Sequence, residues 1–178
     1  MFRGIRSSIV LLTLIGLQPT NFTHAELPTG DLAKQLASVK FDQYAPAPGY
    51  SEGPTWRNGE VYFCSGALLR VDPQQAVYKY LEINPAGTVL RADGHLLICD
   101  NKYKAVLDLS PEGKLGVIAE RFETETLRGL NDLTLDAQGN IYWTDPEGSS
   151  LEKPVGNLYR VRPDGRVDRL TTGLAFPN

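Results

Sequence analysis

Two cysteines, two histidines and one methionine are all that this 178-residue chain holds of the residues used for soft-metal, redox or imidazole chemistry. No CxxC pair occurs. One histidine, His24, falls in the first 25 residues and the other, His95, in a predicted hairpin turn, so neither a histidine triad nor a His/Cys zinc cluster can be assembled. Glycine-rich phosphate loops and basic–aromatic patches are missing too. With a net charge of −3 nothing points to nucleic acid or an anionic membrane surface as a partner. Ile9–Leu17 (IVLLTLIGL) is an apolar run of nine residues, too few for the roughly 20 that span a bilayer.

What the chain does have is seventeen glycines and twelve prolines, which punctuate short apolar runs throughout. With 42% hydrophobic and 22% charged residues the composition is that of one globular domain, and the punctuation predicts an all-β fold of many short strands. Arg3 and Arg6 ahead of the apolar run, then small residues at Thr23 and Ala25, predict a cleaved signal peptide over 1–25. The mature chain then begins near Glu26 in an oxidising compartment, periplasmic or extracellular, with no membrane attachment after cleavage. Residues 26–48 read as a lead-in, with a short amphipathic stretch at Asp31–Val39 followed by Pro46 and Pro48.

From Gly49 onward the sequence repeats itself. Aligned on Gly59, Gly94 and Gly139, an apolar run starts two residues later each time: Val61-Tyr62-Phe63, Leu96-Leu97-Ile98, Ile141-Tyr142-Trp143. Cys64, Cys99 and Thr144 hold the fifth position, and Ser65, Asp100 and Asp145 the sixth. A second set of turns interleaves: Asp72-Pro73, Ser110-Pro111-Glu112-Gly113 and Arg162-Pro163-Asp164-Gly165. Two hairpins per repeat make four strands, and the glycines are 35 and 45 residues apart. That is the signature of a propeller blade. A β-sandwich also has many short strands but does not repeat hairpin chemistry at fixed phase. At about 45 residues per blade, residues 49–178 make roughly three blades of a partial propeller truncated at its C-terminus, where closure takes at least about four. An unclosed propeller leaves a sheet face and an edge uncovered, so the expectation for the 178 residues alone is an inactive and poorly folded fragment.

Upstream of each turn glycine the phase selects particular polar residues. Allowing one extra residue before Gly139, Glu52 of Ser51-Glu52-Gly53-Pro54-Thr55-Trp56 lies over Asn131 of Leu130-Asn131-Asp132-Leu133, and Thr55 over Thr134. Asn178 falls 47 residues beyond Asn131, one blade later. At these positions side chains ring one mouth of a propeller's channel. A carboxylate and two amide oxygens there would suit one divalent cation, Ca²⁺, Mg²⁺, Mn²⁺ or Zn²⁺. Taken singly, each could instead satisfy turn backbone. The second blade supplies no ligand: Ala86 holds the equivalent place.

The stretches Ser51–Trp56, Val117–Phe122, Leu130–Leu133, Gly139–Pro146 and Phe176-Pro177-Asn178 together resemble the gluconolactonase/senescence-marker-protein (regucalcin-like) family of six-bladed propellers. The resemblance covers residues 49–178 and implies hydrolysis of a sugar-acid lactone such as glucono-1,5-lactone. It implies a divalent metal held by a Glu, matched by Glu52, an Asn, matched by Asn178, and an Asp expected beyond residue 178, which the family uses as catalytic base. Asn131 matches a substrate-contacting Asn. The family often has an Arg two residues earlier; that place is Gly129 here, and Arg128, one residue further away, becomes the substrate-binding candidate, with a solvated loop arginine as the alternative. Ala86 stands where many bacterial relatives carry Asn.

Cys64 and Cys99 are an even pair in an exported protein, which invites a disulfide. Their identical phase argues against it: packed sheets lie about 10 Å apart, and a disulfide needs Cα atoms within about 7 Å. Both are expected as buried free thiols. Asp132, Asp145 and Glu147 are either outer-shell or calcium-binding groups near the mouth, or strand-end turn formers. Two other functions compete with lactone hydrolysis: a non-catalytic propeller that binds calcium or a partner, and a propeller hydrolase for other esters or phosphotriesters.

Overall fold

The computed structural model describes residues 39–40 and 42–178; the predicted signal peptide and most of the lead-in lie outside these residues. Gln43–Asn178 form one compact unit. It is all-β, and among the described residues no helix is long and apolar enough to cross a membrane.

Three antiparallel four-stranded sheets follow one another along the chain, each strand pairing with the next. The first holds β1 (Glu52–Arg57), β2 (Glu60–Cys64), β3 (Leu68–Val71) and β4 (Val77–Leu81). The second holds β5 (Pro85–Leu90), β6 (Leu96–Asp100), β7 (Ala105–Leu109) and β8 (Leu115–Ala119). A small hairpin, β9 (Arg121–Phe122) with β10 (Glu125–Thr126), precedes the third sheet, formed by β11 (Leu133–Leu135), β12 (Ile141–Asp145), β13 (Gly156–Val161) and β14 (Val167–Leu174). These are three blades of a β-propeller. The β9–β10 hairpin is the element the repeat did not anticipate. It has no counterpart in the other two blades and its Phe122 ring sits 5.7 Å from that of Tyr159.

Burial explains why the strands read as continuous apolar runs. Every residue of β6 is buried, because the second sheet is covered on both faces. Leu96 and Ile98 pack with Tyr62 and Leu68 of the first sheet. Leu97 and Cys99 pack with Leu133, Ile141 and Trp143 of the third. Each fully buried aliphatic side chain contributes about 1.5–3 kcal/mol, so the two interfaces hold the blades side by side. Trp143 stacks on Tyr159 with ring centroids 5.3 Å apart. On the far face of the first sheet Ala45 of the lead-in packs against Phe63, Leu69 and Val71.

The innermost strands approach more closely than side chains would allow. A Cβ on Gly53 would stand 2.9 Å from the Ala86 carbonyl oxygen and 3.0 Å from the Gly87 Cα. A Cβ on Gly87 would stand 2.7 Å from the Asn131 carbonyl oxygen and 2.9 Å from the Asp132 Cα. Three backbones from three sheets therefore touch, with Gly87 in the middle. Gly87→Ala is expected to lower stability by about 1–3 kcal/mol, the scale of core overpacking, read from the denaturant midpoint. Gly116→Ala, whose new Cβ would be 3.8 Å from its nearest neighbour, the Asp108 carbonyl oxygen, is the control and should leave the midpoint in place.

Candidate functional site

Each innermost strand breaks its ladder near its entry. In β1 the pairing runs from Glu52↔Cys64 to Thr55↔Tyr62, leaving one residue extra. In β5 it runs from Pro85↔Asp100 to Gly87↔Cys99, with Ala86 extra. Ahead of β11 the Asn131 N–H donates to the Thr144 carbonyl at 3.0 Å and the Thr144 N–H donates to the Asp132 carbonyl at 3.1 Å, so two residues share one partner. Such bulges re-aim side chains, and here they fall just after Glu52, at Ala86 and at Asn131-Asp132.

The sixth-position residues fix the backbone leading into each bulge. The Ser65 hydroxyl donates to the Tyr50 carbonyl at 2.8 Å. Asp100 accepts the Asn84 N–H at 2.7 Å and the Tyr103 N–H at 2.7 Å. Asp145 accepts the N–H groups of Arg128 at 2.9 Å and Gly129 at 3.0 Å. Tyr50, Asn84 and Gly129 each stand two residues before Glu52, Ala86 and Asn131. Both aspartates are fully buried, where an unpaired carboxylate would be costly, and the backbone donors satisfy them. Asp145 is thus a clamp on the Arg128–Asn131 loop. It shares its repeat phase with Asp100 and Ser65, but only the backbone donors it accepts distinguish a clamp from a ligand.

Glu52 is half-buried. Its carboxylate accepts the Tyr50 hydroxyl at 3.2 Å, and among the described residues no Lys or Arg pairs with it. Burial pushes the Cys64 thiol up to about 12, with the charges of Glu52, Asp132 and Asp100 adding to the effect. Burial likewise raises the Cys99 thiol well above its ordinary range, and Asp132, Asp145 and Asp100 reinforce it. Glu52, Asp132, Asp100 and Asp145 thus gather negative charge around the two thiols, which fits a cation. Both cysteines are free and buried, as their shared phase requires. Among the described residues no three His, Cys, Asp or Glu side chains gather closely enough to bind a metal; the candidate set of one carboxylate and two amides is of a different kind.

Asn131 is half-buried, and its carboxamide has no hydrogen-bond partner among the described residues. Asp132 turns its carboxylate to the Leu133 N–H at 2.8 Å. Asn178 is exposed and lines an open cleft of about 170 Å³ with Asp132, Thr144, Trp143 and Leu158. Glu52 and Asn131 are thus brought to either side of Ala86-Gly87, and Asn178 to the cleft beside Asp132. Arg128 points elsewhere: its guanidinium donates to the Val155 carbonyl at 2.8 Å. A side chain at Gly129 would strike Glu147, whose carboxylate is 2.8 Å from the Lys104 ammonium. That ion pair fills the place an arginine at 129 would need.

The family pattern described as the SMP-30/Gluconolactonase/LRE-like region matches residues 50–178. A gluconolactonase of Zymomonas mobilis subsp. mobilis is 25% identical over 158 residues, covering 72% of this chain and 44% of the relative. Diisopropyl-fluorophosphatase of Loligo vulgaris is 27% identical over 159 residues, covering 74% of this chain and 50% of the relative. The solved structure of a gluconolactonase from Xanthomonas campestris shares the fold, with a TM-score of 0.63 at 24% identity over 72% of this chain and 49% of that one. The chain spans about half the length of the curated relatives it matches.

Two outcomes follow from this geometry. Asp145→Asn places an amide donor where two backbone N–H groups point and is expected to cost about 1–3 kcal/mol, measured by denaturant unfolding. Cys64 should resist alkylation at pH 8 until the protein unfolds. Below the ordinary thiol value of 9.0 folded and unfolded states both carry the neutral thiol, so its contribution to stability is intact. From there to about 12 only the unfolded chain ionises, so that contribution is lost as pH rises. A pH titration of the unfolding midpoint of wild type against Cys64→Ala checks the sign.

Proposed function

Because the chain belongs to the SMP-30/Gluconolactonase/LRE-like family, we propose that the full-length protein is a metal-dependent hydrolase that opens a sugar-acid lactone. The observation that carries this reading is Glu52, a half-buried carboxylate with no cationic partner among the described residues, set beside a bulge where negative charge gathers. Glu52 and Asn178 would hold one divalent cation, Ca²⁺, Mg²⁺, Mn²⁺ or Zn²⁺, through oxygen donors suited to hard ions. When bound, that cation supplies Lewis-acid polarisation of the ring carbonyl. Asn131 keeps its carboxamide free to orient substrate oxygens, and Arg128 can reach a substrate only by leaving the Val155 carbonyl. A carboxylate removes the proton of the attacking water; none of the residues assigned here takes that part. The basic start and short apolar run at the N-terminus support an exported protein acting on a small molecule in the periplasm or outside the cell.

Similarity to diisopropyl-fluorophosphatase favours a second reading, a propeller hydrolase acting on other esters. The two readings separate on substrates: turnover of glucono-1,5-lactone supports the first, and turnover of phosphotriesters or aryl esters alone supports the second. In the full-length protein Glu52→Gln is expected to lower lactone opening by at least about 10²-fold, the scale of losing a group that stabilises the transition state. Chelation should abolish activity and one of the four cations restore it. Undiminished activity in Glu52→Gln would remove Glu52 from the site.

A further inference from the structure

The second sheet offers no ligand at the mouth, yet its innermost strand lies between the two residues proposed to act there. Glu52 is followed by Gly53, whose backbone is left-handed at φ 56°, and by Pro54, which has no N–H to give to the ladder. The Gly53-Pro54 peptide therefore cannot be fully held by its own hairpin, and the register slips there. It is held from the neighbouring sheet instead. The Thr88 hydroxyl lies 2.7 Å from the Gly53 carbonyl oxygen and 2.7 Å from the Thr55 hydroxyl. A threonine hydroxyl has one proton. Given to the Gly53 carbonyl, it leaves the Thr55 proton for the Thr88 oxygen, or for the Thr88 carbonyl at 3.1 Å. Each hydroxyl then has a partner. Thr88 is buried, so water competes little for these bonds.

We propose that Thr88 is the positioning residue of Glu52: its hydroxyl, reaching across from the second sheet, fixes the carbonyl next to Glu52 and thereby sets where the Glu52 carboxylate stands. The inference rests on the reading of Glu52 as a metal ligand. Groups that orient a ligand without touching the metal typically change affinity by about 10–100-fold when removed.

The test is direct titration of the full-length protein with Ca²⁺, Mg²⁺, Mn²⁺ and Zn²⁺ by calorimetry, with thermal unfolding measured alongside. Thr88→Val keeps the shape and removes the hydroxyl; it should weaken binding of the activating cation about 10-fold or more. Thr88→Ser keeps the donor and should bind like the parent. Thr55→Val removes a hydroxyl from the same cluster but leaves the bond to Gly53; it should lose stability comparably while retaining affinity. Equal affinity in Thr88→Val and parent overturns the proposal, as does equal weakening in Thr55→Val and Thr88→Val. If Thr88→Val does not fold, Thr88→Cys, a weaker donor at the same place, is read the same way. Glu52→Gln in parallel separates the two ideas: if it binds like the parent, the ligand reading fails; if it weakens and Thr88→Val does not, only the positioning role fails.

Discussion

The contact on which the rest of this structure depends is made chiefly by backbone. Gly53, Gly87 and the Asn131-Asp132 peptide meet at separations no Cβ would tolerate, with the Asp132 carboxylate beside Gly87. That approach sets how near the three sheets come at the inner end, while Leu96, Ile98, Leu97 and Trp143 fill the widening wedge outside it. A layer of glycine at the narrow end and large apolar residues further out is what radial packing of flat, four-stranded sheets demands. It also explains why bulges occur there. Strands this close cannot keep regular ladders and still turn polar side chains toward the mouth.

Among the described residues the two fully buried carboxylates serve one purpose. Asp100 and Asp145 occupy the same position in consecutive sheets, both fully buried, and both accept backbone N–H groups ahead of an innermost strand. Ser65 does a weaker version of the same in the first sheet. A carboxylate satisfied by two or three backbone donors is a stiff joint, because moving the loop would strand both partners. The stiffness is delivered two residues before Ala86 and Asn131, and in the first sheet before Glu52, the proposed ligand.

The repeat of turn glycines made the four-stranded sheets, their order and the shared phase of Glu52, Ala86 and Asn131 legible in the sequence, since hairpin chemistry is local. The free state of Cys64 and Cys99 followed from the same phase. Three features were not legible. The β9–β10 hairpin has no counterpart in the other blades, so no repeat announces it. Asp145 carries the residue type of a ligand and the role of a clamp, and only its buried donors tell the two apart. The bonds among Thr55, Thr88 and Gly53 join residues more than thirty positions apart, a distance at which spacing says nothing about contact.

The second sheet shows most clearly how geometry and chemistry divide. It keeps the bulge, the buried aspartate and the close glycine, but carries Ala86 where its neighbours carry Glu52 and Asn131. Gly87 and Thr88 are the surfaces against which the neighbouring strands are set. Much of the frame is therefore shared between the sheets, and on the proposed function the side chains beside the bulges are what act at the mouth. In a fold of this kind a change of function needs only substitutions at the bulge, whereas a change at Gly87 would disturb the strands on both sides of it and one at Asp145 the Arg128–Asn131 loop.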